Sequence, residues 1–246
     1  MLGVVHEGVA YPLLWEMLDK KGNSNSNERM DLLERFREVF PDAEIAYICG
    51  DREFIGQEWL TYLMIDPIIP FQIRIRETDQ ISDGQKRLAA SIIFAHLQPG
   101  QRKILSSRRW VWGRKVDISA LRLEDGELLV VISSDSPSTA ISDYAQRWGI
   151  ETLFGMFKTR GFCLESTHFT DAQRLSKLLA LMSLAMCWAM KMGPWLNSHS
   201  PLKIKKHGRL SKSVFPYGLD YLRSIVTDLD LKHDEFLHSL KLLSCT

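Results

Sequence analysis

Apolar and polar positions change period several times along the chain, and each change marks an element. Two apolar runs, 2–6 and 9–18, are separated by Glu7-Gly8 and predict a β-hairpin or two neighbouring strands. The turn-rich stretch 20–27 holds several candidate N-caps and leads into Met30, Leu33, Phe36 and Phe40 at helical spacing, which Pro41 ends. Residues 45–49 then form a short apolar run, the pattern of a buried strand, that enters Gly50-Asp51-Arg52-Glu53, and 54–64 has helical spacing. A strand, a loop and a helix in that order are the unit of an α/β fold.

Residues 71–76, Phe-Gln-Ile-Arg-Ile-Arg, alternate strictly, the period of a half-buried strand. From 78 to 137 the period is short and broken by Gly, Ser and Asp, with strand-like runs at 103–105, 109–112 and 127–132; this predicts a β-rich insertion, ended by Pro137. Ser142 or Asp143 caps a predicted helix to about Thr159. A second long helix starts at the capping box Thr170-Asp171-Ala172-Gln173 and is expected to stop at 191–194, where Pro194 lies. A basic loop over 201–213, a short helix near 217–227 and an acidic stretch with Asp228, Asp230, Asp234 and Glu235 complete the chain. The expected class is α/β, and no internal repeat is visible.

Composition narrows the classes. The 246 residues, 45% hydrophobic and 25% charged, exclude a collagenous, low-complexity or wholly disordered chain. A net charge of +1 names no partner, so any nucleic-acid signal must come from clustering. Cys49, Cys163, Cys187 and Cys245 lie far apart without zinc-ligand spacing, which points to a reducing cytoplasm. The N-terminus has no basic region of a signal peptide, and the most apolar stretch, 178–190, is shorter than the roughly 20 residues that span a bilayer. A cytoplasmic protein with no membrane partner is expected. Met182, Met186, Met190 and Trp188 in that stretch are core residues on this pattern, and the histidines have no nucleophile at recognisable spacing.

The candidate chemistry is a row of polar residues, Tyr144, Arg147, Glu151 and Lys158. At about 100° per residue they fall within about 60° of one another on a helix, with Ile150, Leu153, Met156 and Phe157 opposite. A carboxylate flanked by two cations and a phenol suits a phosphodiester: the carboxylate holds a hard cation and the bases neutralise phosphates. A solvated face with an Arg147 and Glu151 ion pair has the same spacing. Asp51 directly follows a predicted strand, where ligands of α/β sheets bind, and is equally placed to start a helix. Two segments are basic without an acid. One, 101–115, carries Arg102, Lys103, Arg108, Arg109, Arg114 and Lys115 with Trp110 and Trp112 interleaved; the other, 201–213, carries Lys203, Lys205, Lys206, Arg209 and Lys212. Both suit a DNA backbone, and both also suit ordinary structure: a strand pair with inward tryptophans, and a solvated loop.

These residues resemble the bacterial insertion-sequence transposases of the DDE type, which have a ribonuclease H-like core and a glutamate helix with a Y-R-E-K signature. Tyr144, Arg147, Glu151 and Lys158 match that signature in full, and Gly50-Asp51-Arg52-Glu53-Phe54-Ile55-Gly56 resembles the segment around the second catalytic aspartate. Residues 18–34, 161–179, 203–208 and 217–223 are also family-like, so the resemblance covers nearly the whole chain. It implies a ribonuclease H-like mixed sheet with flanking helices and the insertion 78–137, all within one catalytic domain over 1–246. It implies that Asp51 and Glu151 are catalytic metal ligands for Mg2+ (or Mn2+), and that Tyr144, Arg147 and Lys158 position phosphates of the transposon end. The implied reaction is strand cleavage by metal-activated water, followed by attack of the freed 3′-hydroxyl on target DNA, with transposon ends and target as partners and a homodimer on DNA.

In that family the first catalytic aspartate lies on a central first strand. Residues 1–18 match the second and third strands, so the expectation is a chain truncated at the N-terminus, with that strand and aspartate missing, poorly stable and inactive in cleavage. Asp19 and Asp31 fall after those strands and are rejected as substitutes. The alternative function is a non-catalytic DNA-binding remnant or regulator of a full-length transposase.

Overall fold

The computed structural model describes every residue except Asp19, Lys21, Asp66, His207, Cys245 and Thr246. The rejected substitute Asp19, the fourth cysteine Cys245 and His207 of the basic loop therefore lie outside the described residues. The chain forms two compact units, residues 1–8 with 20–149, and residues 9–19 with 150–246.

The first unit is α/β. Its strands are β1 (Leu2–His6), β3 (Ile48–Gly50), β4 (Phe71–Ile75), β5 (Gln80–Ser82), β6 (Arg87–Ala89), β7 (Arg102–Ile104), β8 (Arg109–Val111), β9 (Arg114–Arg122) and β10 (Leu128–Ser133); β2 (Val9–Leu14) belongs to the second unit. Eight strands make one sheet in the order β3-β4-β10-β9-β8-β5-β6, with β7 also on β9. It is a mixed sheet: β3 runs parallel to β4, while β10 is antiparallel to both β4 and β9. The β-rich stretch after 78 is thus continuous with the core, because β10 lies between β4 and β9 and carries their ladders.

Alternation decides the two faces of this sheet. Phe71, Ile73 and Ile75 share one face with Val130, Ile132, Ile118 and Ala120, all buried with Trp59, Leu60 and Leu63 of α2 (Gln57–Leu63) and Leu33 of α1 (Ser26–Val39). The other face carries Leu129 and Val131 and is covered by Ala140, Ile141 and Tyr144 of α4 (Ala140–Ala145). Helices on both faces are what a sheet apolar on both sides requires. A full capping box at Asn25 and Glu28 sets the start of α1. The expected strand 45–49 shortens to Ile48–Gly50, since the first ladder bond runs from the Ile48 N–H to the carbonyl of Pro70, upstream of which β4 offers no partner. The short helix α3 (Ala90–Ile93) and strands β5, β6 and β9 add to what the broken pattern of 78–137 predicted.

The expected single helix from Ser142 or Asp143 to Thr159 is two. The N–H groups of Gln146, Arg147 and Gly149 bond to carbonyls three residues back, a tight turn that closes α4 before α5 (Trp148–Lys158) begins. The expected helix is therefore interrupted at 146–147.

The second unit is built from α5 beyond Gly149, a 3₁₀ turn (Leu164–Thr167), α6 (Ala172–His199), α7 (Val214–Thr227) and α8 (His233–Ser244), with β2. The strand expected over 9–18 ends at Leu14. Trp15, beyond it, donates its indole N–H to Ser176 of α6 at 3.0 Å. The stop expected at 191–194 does not act, and α6 runs through Pro194 to His199. Packing overrides the proline penalty of about 3 kcal/mol: Met186, Ala189, Met192 and Leu196 are buried, and Gly193 and Gly218 let α6 and α7 touch backbone to backbone. With that length and composition α6 could cross a membrane; here its buried face is core. The acidic stretch includes an unexpected helix, α8, anchored where the Trp188 indole donates to the Ser239 carbonyl at 3.0 Å.

Candidate functional site

Asp51 stands at the carboxyl end of β3, the edge strand of the sheet. The chain turns sharply there. A Cβ on Gly50 would lie 2.8 Å from the Cβ of Phe54, so only glycine fits before the aspartate. The Phe54 N–H then closes a turn onto the Asp51 carbonyl at 2.7 Å, and the Arg52 N–H donates to Asp51 Oδ1 at 2.7 Å.

The loop is tied down from both sides. Glu53 accepts from Asn23 at 3.0 Å on one oxygen and from the Arg76 guanidinium at 2.9 Å on the other, which occupies the carboxylate next to Asp51. Arg29 of α1 lies over the Phe54 ring, 4.6 Å from its centroid, and bonds Ser24 with both its Nε and a terminal nitrogen. Burial pushes the Arg29 pKa below its ordinary value, although Glu28 and Glu53 oppose the shift.

α4 delivers a second group to Asp51. Tyr144 is buried, and its hydroxyl donates to Asp51 Oδ1 at 3.3 Å. Burial raises the tyrosine pKa; Arg147 opposes the shift and Asp51 adds to it. The Arg147 guanidinium stands 5.7 Å from the centroid of the Tyr144 ring. α4 is also fastened to β3 by Cys49, whose thiol donates to the Asp143 carbonyl at 3.4 Å, and burial with Asp143 pushes that thiol up to about 12. Asp51, Tyr144 and Arg147 are therefore gathered in the first unit.

Arg74 joins them, a residue that sequence reasoning missed. β3 and β4 pair Gly50 with Ile73, so the next position sets Arg74 beside Asp51. Its guanidinium bonds Glu127, while its Nε is buried without a partner among the described residues. Burial works against its charge, but Glu127 outweighs it and holds the pKa above the ordinary range, with Tyr144 and Asp51 adding to that effect. The alternation of 71–76 marks Arg74 as a face residue, but which strand lies next to β4 is not written in that pattern.

Glu151 and Lys158 belong to the second unit. Both are exposed on α5, and Leu153, Met156 and Phe157 are buried on its opposite side. Lys158 pairs with Glu165 at 3.8 Å and stands 6.0 Å from the Phe154 ring centroid. Asp31, the other rejected aspartate, is exposed on α1.

The basic segments divide by environment. In 101–115 Arg108 is held by Asp117 at 3.1 Å and by the Ser134 carbonyl at 2.6 Å, and Arg109 bonds Ser107. The two tryptophans part: Trp112, at φ 43° in the two-residue turn with Gly113, packs on the core, whereas Trp110 is exposed under Lys115. The other basic segment folds back on itself through an Ile204–Leu210 bridge, and Lys203, Lys205 and Lys206 are exposed on it.

For a hard divalent cation the donor chemistry fits. Asp51 offers oxygen, and its Oδ2 accepts no hydrogen bond among the described residues. Among those residues no group of three or more His, Cys, Asp or Glu side chains could hold a metal ion; Asp51 is a single hard donor, and Mg2+ commonly takes one or two carboxylates beside water and phosphate oxygens.

The family model described as the transposase DDE domain matches residues 6–188, roughly three quarters of the chain, a span that includes Asp51, Arg74, Tyr144, Arg147, Glu151 and Lys158. No curated protein matches the chain.

Proposed function

Because the chain belongs to the transposase DDE domain family, we propose that Asp51 and Glu151 are its catalytic, metal-binding carboxylates and that Tyr144, Arg147 and Lys158 hold phosphates of the element's end. Membership supports a transposase function, in a class of enzymes that act on DNA and generally use divalent metal ions. The reaction we assign is hydrolysis of a phosphodiester followed by transesterification onto target DNA, with Mg2+ or Mn2+. A bound cation supplies Lewis acidity at the scissile phosphate and lowers the pKa of a water.

The chain's own residues do the rest. Two carboxylates give hard oxygen ligands and leave room for water and phosphate. Arg147 and Lys158 offset phosphate charge. The Tyr144 hydroxyl fixes Oδ1 of Asp51, so that Oδ2 faces a ligand in one orientation. Arg108 and Arg109, with Lys203, Lys205 and Lys206, are read as backbone contacts, Arg108 with its guanidinium already oriented by Asp117.

One observation carries this reading: the 3.3 Å bond from Tyr144 to Asp51 joins two residues 93 positions apart, each singled out in the sequence on separate grounds. The test is Mn2+ binding, followed by electron paramagnetic resonance with duplex DNA present. Asp51→Asn and Glu151→Gln are each expected to weaken Mn2+ binding about tenfold or more, with DNA affinity kept. Unchanged Mn2+ affinity in both variants would falsify the assignment.

A further inference from the structure

Arg74 has a partner and a vacancy. Its side chain is only 19% exposed, one terminal nitrogen bonds Glu127, and the buried Nε–H has no acceptor among the described residues. Leaving such a donor unmade costs about 1–3 kcal/mol, more for a charged group. Neutralising Glu127 does not require this: that carboxylate is 50% exposed, at the turn between β9 and β10, where any surface cation would serve. Arg74 instead stands beside Asp51 on the strand parallel to β3, one register step beyond the Gly50–Ile73 pair, within electrostatic reach of Asp51 and Tyr144.

Guanidinium chemistry points to a ligand for that donor. Nε–H and a terminal N–H lie side by side along one edge of the fork, the spacing of two oxygens of a phosphate. We propose that Arg74 is a phosphate-binding residue of this site, held by Glu127 in the DNA-free protein and transferred to a backbone phosphate beside Asp51 when DNA binds. The proposal rests on the reading of Asp51 as the DNA-facing carboxylate. Glu127 is then a competitor for Arg74, half in water and cheap to release, and the arginine needs only to rotate its outer torsions.

The experiment uses the full chain and a fluorescein-labelled duplex of arbitrary sequence, with affinity measured by anisotropy across a KCl series. A backbone contact contributes a slope of about 0.9 in log affinity against log salt. Arg74→Gln is expected to weaken binding about tenfold and to reduce the slope by about that amount. Arg74→Lys is expected to keep the slope while losing affinity, because the charge survives and the fork does not. Glu127→Gln is expected to tighten binding about threefold by removing the competitor. A wild-type slope in Arg74→Gln overturns the proposal, as does a Glu127→Gln variant that binds no more tightly than wild type. If Arg74→Gln fails to fold, the Glu127→Gln result decides alone. Wild-type affinity that ignores salt would instead overturn the reading of the site as DNA-binding.

Discussion

At the scale of single residues, the helices that back the sheet are joined by a polar contact as well as by the core. Tyr62 of α2 donates its hydroxyl to Glu34 of α1 while its ring stacks on Trp59, with centroids 5.9 Å apart. Burial raises the phenol's pKa to about 12 from an ordinary 10.0, and Glu34 adds to it. The sign follows from the folded value being the higher one. The stabilisation is fully present below about pH 10 and is lost as pH rises through about 12, because the unfolded chain ionises first. Tyr62→Phe should cost about 0.5–1.5 kcal/mol at neutral pH. In urea denaturation from pH 8 upward, its stability should then fall less steeply than wild type between about 10 and 12; parallel curves would show that Tyr62 does not titrate in that window. The same scale explains what was legible in the site. Asp51 and Tyr144 stand out in the chain because one follows an apolar run and the other belongs to a spaced motif, whereas Arg74 acquires its meaning only from the strand beside it.

Among elements, close approach decides more than propensity. Pattern alone located α1 and β4 and put the start of α6 one residue early, its N-cap being Asp171, which accepts from the Arg174 N–H, and not the Thr170 of the expected capping box; it misjudged elements whose limits depend on partners. β3 starts where β4 can pair with it, and α6 outlasts its proline because α7 lies against it. The start of α8 follows an acidic run and carries Asp234 and Glu235 in its first turn, and the break at 146–147 is a three-residue hydrogen-bond turn inside a run that looks helical throughout. The tightest of these contacts is testable. A Cβ on Gly218 would run into the Ala189 carbonyl oxygen and the backbone nitrogen of Gly193, both fixed parts of α6. No side-chain rotation relieves backbone, so Gly218→Ala should destabilise by about 1–3 kcal/mol or more, although alanine is the better helix former. Leu181→Ala, at an exposed position of the same helix, should stay within about 0.5 kcal/mol. Comparable thermal midpoints for the two variants would show that α6 and α7 do not need their glycines.

For the whole molecule, charge has to be read locally. The chain's total of +1 gives no long-range attraction to DNA, yet Lys203, Lys205 and Lys206 are exposed together on a fold-back loop, and among the described residues none of the three is ion-paired. Lys212 of the same segment is different, since it is held by Asp220 of α7 and fastens the loop, whereas Lys203, Lys205 and Lys206 face water. A solvated loop and a phosphate-contacting loop look identical in sequence, and they differ in what salt does to binding. Replacing the three lysines with glutamine moves the net charge from +1 to −2, computed from the 31 basic and 30 acidic residues. If all three meet phosphates, the slope of log affinity against log salt should fall by about 2.7, with the loss largest at low salt. If the loop is merely solvated, the slope stays put and affinity drops only slightly, through the weaker overall potential. The loop carries no core residue that the exchange would remove, so an altered slope at an unchanged thermal midpoint would report contact with DNA and not damage to the fold.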